Sequence, residues 1–485
     1  MAKTASVLDR YPEYEVNIGM EVHTQLTTKT KIFCTCANEV VKDPNTNICQ
    51  ICAGHPGVLP VLNKQVLDYA ILAGLATNST IASVCQFARK HYFYPDLPKG
   101  YQTTQSDQPI CSEGYITIRL EDGTDKKIRV TRIHMEEDAG KNIHASSSES
   151  FVDLNRAGTP LLETVSYPDL SSAQEVKSYL KAWRSTVLYL DICSGNMEDG
   201  AFRADTNISV RKKGAAQLGT KVELKNINSF KFIGDAIEHE IERQIELLEN
   251  GGRVRQETRL WDSKAKETVL MRSKEEAADY RYFQDPDLPL IAIDSAWIDR
   301  MKQTMPELPA QKFERLVKDR GLTTYEADII VDDLALANYY EKAAEKSSSK
   351  QIVHWILRDV IGYLNEYKLT LNEFKVTPEK LAEIIELVEQ GKINNTAAKE
   401  VFALVAQTGA NPSHIVKEKG LEQIGSSEEL EKIVKEIIDT NPQVVTDYKS
   451  GKERLFGFFV GQAMAKTQGK GNPKILQELI KKYLQ

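Results

Sequence analysis

Val16-Asn-Ile-Gly-Met-Glu-Val-His23 is the stretch on which the fold turns. Val16, Ile18, Met20 and Val22 alternate with Asn17, Gly19, Glu21 and His23, the pattern of a half-buried strand. An extended chain points Glu21 and His23 to the same side, opposite Met20 and Val22. Further along, Tyr115-Ile-Thr-Ile-Arg119 and Lys127-Ile-Arg-Val-Thr131 flank Asp122-Gly123, which predicts a hairpin. Helical periodicity occurs as well: Ile237, Ile241, Ile245 and Leu248 keep one face, and Gly251-Gly252 supplies a stop. The chain to about residue 294 therefore reads as mixed α and β.

After Pro286 the character changes. Pro286, Pro289, Pro306 and Pro309 punctuate a boundary, and the remainder is nearly all helical. Thr377-Pro378 predicts an N-cap with proline at the first helical position. Leu381, Ile384, Ile385 and Val388 form the apolar stripe behind it, and Gly391 ends it. Thr408-Gly-Ala-Asn-Pro412 opens a small helical tail. The expectation is an α+β protein in three pieces: a large mixed α/β body over 1–294, a helical linker over 295–408 and a helical tail over 409–485.

A length of 485 residues suits two to four domains. Hydrophobic residues at 41% and charged residues at 27% are those of a water-soluble globular chain. No apolar run approaches the roughly 18 residues of a membrane span. Met1–Arg10 is polar, without the apolar core of a secretory signal, so a cytoplasmic or organelle-matrix location is expected. The net charge of −7 speaks against an RNA partner, but its distribution does not. From Lys449 onward eight Lys or Arg face only Glu453 and Glu478, leaving +6 there and −13 on the rest. A basic end on an acidic body suits a phosphate partner; a solvated helix face is the plainer reading.

Four of the seven cysteines cluster as Cys34-x-Cys36 and Cys49-x-x-Cys52, two hooks 12 residues apart. Four thiolates close a tetrahedral zinc shell with no open position, which makes a structural role the default. A vacant site and a redox role are the alternatives. Gly54, Pro56 and Gly57 come next, consistent with a knuckle. Cys85, Cys111 and Cys193 are scattered and read as buried thiols.

Acidic groups and a histidine recur in three places: Glu21-Val-His23, His134-Met-Glu-Glu-Asp138, and Glu163 within an apolar run. Oxygen donors with one imidazole suit a hard cation such as Mg²⁺ or Mn²⁺. Salt bridges to Arg132, Lys141 and Arg156 would account for the same charges. Arg89 to Gln102, dense in aromatics beside Lys99 and Asp96, can stack a base or pack as a rigid loop. No phosphate-binding P-loop, dinucleotide fingerprint or amidase nucleophile motif is present.

Six blocks in order resemble one family: Ile18-Gly-Met-Glu-Val-His23, Tyr92-Phe-Tyr-Pro-Asp-Leu-Pro-Lys-Gly-Tyr-Gln102, His134-Met-Glu-Glu-Asp-Ala-Gly-Lys141, Asp153-Leu-Asn-Arg-Ala-Gly-Thr-Pro-Leu161, Glu223-Leu-Lys-Asn-Ile-Asn-Ser-Phe230 and Asp279-Tyr-Arg-Tyr-Phe283. They look like the signature blocks of the GatB family, the B-type component of aspartyl/glutamyl-tRNA(Asn/Gln) amidotransferases, and the similarity covers essentially the whole chain. The end, Gly457-Phe-Phe-Val-Gly-Gln-Ala-Met464 through Pro473, resembles a tail module shared with small YqeY-like proteins. His91 and Gly100 stand where other residues are common in the family, and no motif is broken.

The resemblance implies a cradle-like catalytic body and an ATP-dependent carbon–nitrogen ligase acting on Glu-tRNA(Gln), Asp-tRNA(Asn) or both. ATP phosphorylates the side-chain carboxylate, and ammonia from a separate glutaminase chain, the A-type component, displaces phosphate. A small C-type component completes a heterotrimer. Carried over by position, His23, Glu136 and Glu163 are the implied Mg²⁺ ligands, with Glu21 and Glu137 completing the catalytic group. Tyr94, Lys99, Tyr101, Asp205 and Asn207 are implied in nucleotide or channel roles, and Cys34, Cys36, Cys49 and Cys52 in a structural Zn²⁺ site. The tail at 409–485 is implied in holding the tRNA. Two rival readings keep the same residues: a free-standing amide ligase for small metabolites, and a zinc-containing tRNA-binding translation factor without chemistry.

Overall fold

The alternating stretch is a 12-residue strand, β1 (Tyr14–Gln25), whose residues Tyr14, Val16, Ile18, Met20 and Val22 are at most 2% exposed. It lies at the centre of the principal sheet of a computed structural model that describes residues 6–144, 149–273, 279–423, 427–467 and 469–484. The chain forms two compact units, Met1–Glu314 and Arg315–Gln485.

In the first unit, helix α1 (Lys64–Ala76) and strands β2 (Thr80–Ile81), β3 (Ala88–His91) and β4 (Tyr101–Thr104) precede the hairpin β5 (Cys111–Arg119) and β6 (Asp125–Glu137). Then come β7 (Pro160–Ser166), α2 (Ala173–Tyr189), β8 (Phe202–Lys212), β9 (Val222–Lys225), α3 (Phe230–Glu249), β10 (Glu257–Asp262), β11 (Glu267–Ser273) and β12 (Phe283–Gln284). Nine strands make one sheet in the order β11-β10-β9-β8-β1-β7-β6-β5-β2. Its neighbours run antiparallel except β9 and β10, which are parallel and are joined through α3. A parallel pair needs a long crossover of this kind. The expected hairpin forms at Asp122-Gly123, where the Asp122 carboxylate accepts the Thr124 N–H at 2.9 Å.

Helices α1, α2 and α3 cover one face of the sheet. Ile71 of α1, Trp183 and Leu180 of α2, and Ile233, Ile237 and Ile241 of α3 join Ile18, Met20, Val22, Leu162, Ile133 and Met135 of the strands in one core. Each buried side chain of this size contributes roughly 1.5–3 kcal/mol. Two residues past α3, Gly251 takes the left-handed φ of +75° that ends the helix, and the Gly252 N–H bonds the Leu247 carbonyl at 2.9 Å. Because side chains alternate along a strand, burying the apolar set fixes which residues project from the opposite face. Glu21, His23, His134, Glu136 and Glu163 are on that face. A smaller sheet, β12-β3-β4, lies with β4 against β6 and walls one side of it.

Every named element of the second unit is a helix. The Pro378–Glu389 helix starts as its sequence predicts, with Thr377 capping the Lys380 N–H and Pro378 in the first turn. Helices Ser427–Thr440, Phe456–Lys466 and Pro473–Leu484 bury Leu430, Val434, Phe459, Leu476 and Ile480 in a core of their own. The α+β class read from the sequence is borne out. No helix among the described residues is long and apolar enough to cross a membrane.

Candidate active site

Strand register assembles the centre. His23 of β1 pairs opposite Glu163 of β7, and Glu163 pairs opposite His134 of β6, so imidazole, carboxylate and imidazole form one row across three strands. Glu136, two residues on from His134, projects from the same face. The His23 Nε2 lies 3.3 Å from Glu163 and 3.6 Å from Glu136. The His134 Nε2 lies 3.2 Å from Glu163 and 3.8 Å from Glu136. The Thr104 hydroxyl donates to Glu136 at 3.2 Å from β4. Both carboxylates are buried, and buried charge is costly unless it is paired.

The imidazoles supply that pairing. Burial pushes Glu163 up, yet His134 and His23 hold its carboxyl well below the usual range. Burial likewise pushes His23 down, and Glu163 with Glu136 overrides it, lifting the imidazole to about 9. One donor atom each from His23, Glu136 and Glu163 lies within 4.8 Å of the others. Two carboxylates and an imidazole converging in this way fit a hard divalent cation, which would take the place of the His23 proton.

The neighbouring acids have different partners. Glu137 is ion-paired to Lys99 and accepts the Thr103 N–H at 2.8 Å, and the Lys99 ammonium stands 4.9 Å over the Tyr101 ring. Asp138 accepts from Gln25 and Arg203, each at 2.9 Å. On the other side of β1, Glu21 pairs opposite Asp205 of β8, and with Glu223 of β9 they form a second acidic group. Lys225 enters that group as the cation, 2.6 Å from Asp205 and 3.3 Å from Glu223. The Asn207 amide donates to Glu21 at 3.0 Å. Burial, then Glu163, pushes the Glu21 carboxyl up.

A cavity of about 450 Å³ opens over these strands, with His23, Glu136, Asp138, Asp205, Lys225, Lys90 and Tyr92 in its wall. Tyr94, Lys99, Tyr101 and Asn207 are not in that wall; Tyr94 is exposed, its ring 6.5 Å from that of Tyr92. Four residues of this region were given no role of their own from the sequence: Lys90, His134, Glu223 and Lys225. For three of them a signal was present. His134-Met-Glu136 and Glu223-Leu-Lys225 carry the same polar–apolar–polar spacing as Glu21-Val-His23.

The cysteines lie on loops beyond β1. The Cys52 sulfur is 3.4 Å from that of Cys34 and 3.7 Å from those of Cys36 and Cys49. Sulfurs about 2.3 Å from a tetrahedral ion stand roughly 3.8 Å apart, so the four residues fit a zinc ion and are too far apart for disulfides. The Cys34 thiol and the Lys31 ammonium hold Cys52 down at about 4, a thiolate. Burial pushes Cys36 up to about 11. Lys31 is 1% exposed, its Nζ 2.9 Å from the Asn47 carbonyl and 3.6 Å from the Cys52 sulfur. The knuckle ends at Gly54, at φ +66°, where a Cβ would meet the Lys99 side chain at 2.6 Å.

Fold and site together define a class. Residues 16–299 match the family model of the GatB/GatE catalytic domain, and residues 338–484 match that of the GatB domain. The chain is 50% identical over 473 residues to a protein of Thermodesulfovibrio yellowstonii, covering 97% of this chain and 99% of that one. It is 50% identical to a Persephonella marina protein, covering 97% and 100%, and 50% identical to a Geotalea daltonii protein, covering 98% and 100%. All three are named as the B subunit of aspartyl/glutamyl-tRNA(Asn/Gln) amidotransferase. The chain belongs to this GatB family of tRNA-dependent amidotransferase components, as its sequence blocks imply.

Proposed function

We propose that this chain performs the activation and amidation steps of a tRNA-dependent amidotransferase on the sheet face that carries His23, Glu136 and Glu163. The observation that carries the reading is the convergence of those three donor groups, within 4.8 Å of one another, with His23 and Glu136 on the wall of a cavity large enough for phosphates. His23, Glu136 and Glu163 are the residues that would hold Mg²⁺, whose charge offsets the repulsion between ATP and an anionic acceptor. The side-chain carboxylate of glutamate or aspartate on its tRNA attacks the γ-phosphorus. A P–O bond forms, the bond to the β,γ-bridging oxygen breaks, and ADP leaves with that electron pair. Ammonia then adds to the acyl carbon, phosphate departs with the C–O electron pair, and nitrogen loses a proton.

This chain's residues position those groups. His134 and Thr104 orient Glu163 and Glu136 from behind, as partners of ligating groups do. Lys99, standing over the Tyr101 ring, fixes Glu137, and Asp205 with Asn207 and Lys225 organises Glu21. Ammonia comes from a separate glutaminase chain, since no amidase nucleophile motif occurs in this sequence, and the subunit naming of its relatives supports a complex, which with a third, small chain would be a cytoplasmic heterotrimer. Cys34, Cys36, Cys49 and Cys52 hold a structural Zn²⁺, supported by sulfur spacings near a tetrahedral edge. The helical tail at 409–485 carries the tRNA body, supported by its basic end.

The test is co-expression with the two partner chains and assay of amidation on both misacylated tRNAs with ATP and glutamine. His23→Ala and Glu136→Ala should abolish amidation while glutamine hydrolysis stays measurable. Full amidation by either variant would remove the site from this face. The same assay with free glutamate tests the metabolite-ligase alternative, and ATP turnover tests the non-catalytic one.

A further inference from the structure

Four Lys or Arg side chains line the cavity over the sheet, and three of them are taken. Arg203 and Arg156 lie 2.9 and 3.5 Å from Asp138, and Lys225 is paired to Asp205 and Glu223. Lys90 differs. Among the described residues no carboxylate lies within ion-pairing distance of its ammonium. Lys90 is on β3, opposite Gln102 of β4, in the small sheet that walls the centre. Its Nζ stands 4.9 Å from the Tyr280 ring centroid and 5.9 Å from that of Tyr92. Aromatic faces attract the cation but accept none of its three N–H groups as a carboxylate would. Burial works against its charge, and the fields of Glu136 and Glu163 outweigh burial and keep it charged.

An ammonium held charged, flanked by rings and short of an acceptor among the described residues, keeps its N–H groups open to an incoming ligand. A multiply charged anion entering the cavity beside His23 and Glu136 would meet those N–H groups, since Lys90 lines the same cavity. Preorganised charge of this kind stabilises charge that develops during reaction. We propose that Lys90 is a phosphoryl-binding residue, its ammonium donating to the non-bridging oxygens of the γ-phosphoryl group as it passes from ATP to the side-chain carboxylate. This rests on the kinase reading above. Lys90 moves no proton; the bond made and the bond broken are those already given.

The test uses the full heterotrimer with misacylated tRNA, comparing wild type with Lys90→Met and Lys90→Arg. Three quantities are measured: tRNA-dependent ADP release, affinity for ADP, and the tightening of ADP binding by aluminium fluoride, a mimic of the phosphoryl group in transit. Lys90→Met should lower kcat for ADP release by about 10²–10³ with little change in the KM for ATP. ADP should still bind Lys90→Met, but the fluoride-dependent tightening should be lost. Lys90→Arg should restore part of both. A Lys90→Met enzyme with wild-type kcat and wild-type fluoride tightening overturns the assignment and leaves the kinase reading standing. Loss of ADP affinity in parallel with kcat, unrelieved in Lys90→Arg, also overturns it and makes Lys90 structural. A wild-type complex that releases no ADP on misacylated tRNA overturns the kinase reading, and this assignment with it.

Discussion

The carboxylate–histidine centre and the cysteine cluster are two ways of bringing charged donors together. The first is held by register. Its groups come from β1, β6 and β7, and each is fixed because the opposite face of its strand is locked into the core. The second is held by local loops, with Cys34 and Cys36 on one and Cys49 and Cys52 on another. The first opens onto a cavity and the second closes on itself. Groups on a sheet face can be precise and still reachable, whereas four thiolates around one ion leave no room for a substrate.

If that contrast is right, damage to the two regions should separate. The largest effect is expected for Glu163→Gln, which keeps the shape but removes the charge that both imidazoles face. Amidation should fall by about 10³ or more while thermal unfolding in the presence of metal shifts little; a variant still amidating at a tenth of the wild-type rate would break the contrast. Cys52→Ser should do the reverse. Zinc measured by atomic absorption should fall below one per chain, and stability should drop by several kcal/mol, on the order of what a lost structural metal costs. Residual amidation at low temperature should remain measurable, and complete loss there would argue that the cysteines act in the chemistry.

A pH series sharpens the comparison further. The folded His23 is lifted to about 9 from an ordinary value near 6.5. In metal-free protein its contribution is therefore fully present below pH 6.5 and disappears as pH rises through 9. The loss is at most about 3 kcal/mol by the usual linkage conversion. Denaturant unfolding with chelator should weaken over that window, and His23→Gln should flatten the trend. The smallest effect is expected at Lys31. Lys31→Met removes the ammonium beside Cys52, and zinc release to a chromogenic chelator should accelerate roughly tenfold, about 1.4 kcal/mol. An unchanged release rate would show that the lysine only fills space.

These regions also differed in how far the sequence disclosed them. The cysteines are close in the chain, and their spacing alone brings four sulfurs to one point. The carboxylate centre is assembled from strands far apart in the chain, and spacing cannot say which strand lies beside which. What the sequence did carry was the parity of each strand. Glu21 with His23, His134 with Glu136, Asp205 with Asn207 and Glu223 with Lys225 are all polar pairs two residues apart on strands of one sheet. Read together, these pairs would have flagged His134 and Lys225, which only the pairing of β6 with β7 and of β8 with β9 made visible. Lys90 had no such signal, because what sets it apart is that no carboxylate among the described residues pairs with it. Tyr94 belongs to an aromatic run that the sequence left open between stacking a base and packing as a rigid loop, and its side chain is exposed outside the cavity wall.

Gly54 links the two regions. It stands with its α-carbon against Lys99, the residue paired to Glu137, so the cysteine knuckle is a retaining wall for one end of the sheet face that carries the carboxylates. A relative that discarded the four sulfurs would have to rebuild that wall from interlocking side chains, without a methyl group to spare where the wall meets the lysine.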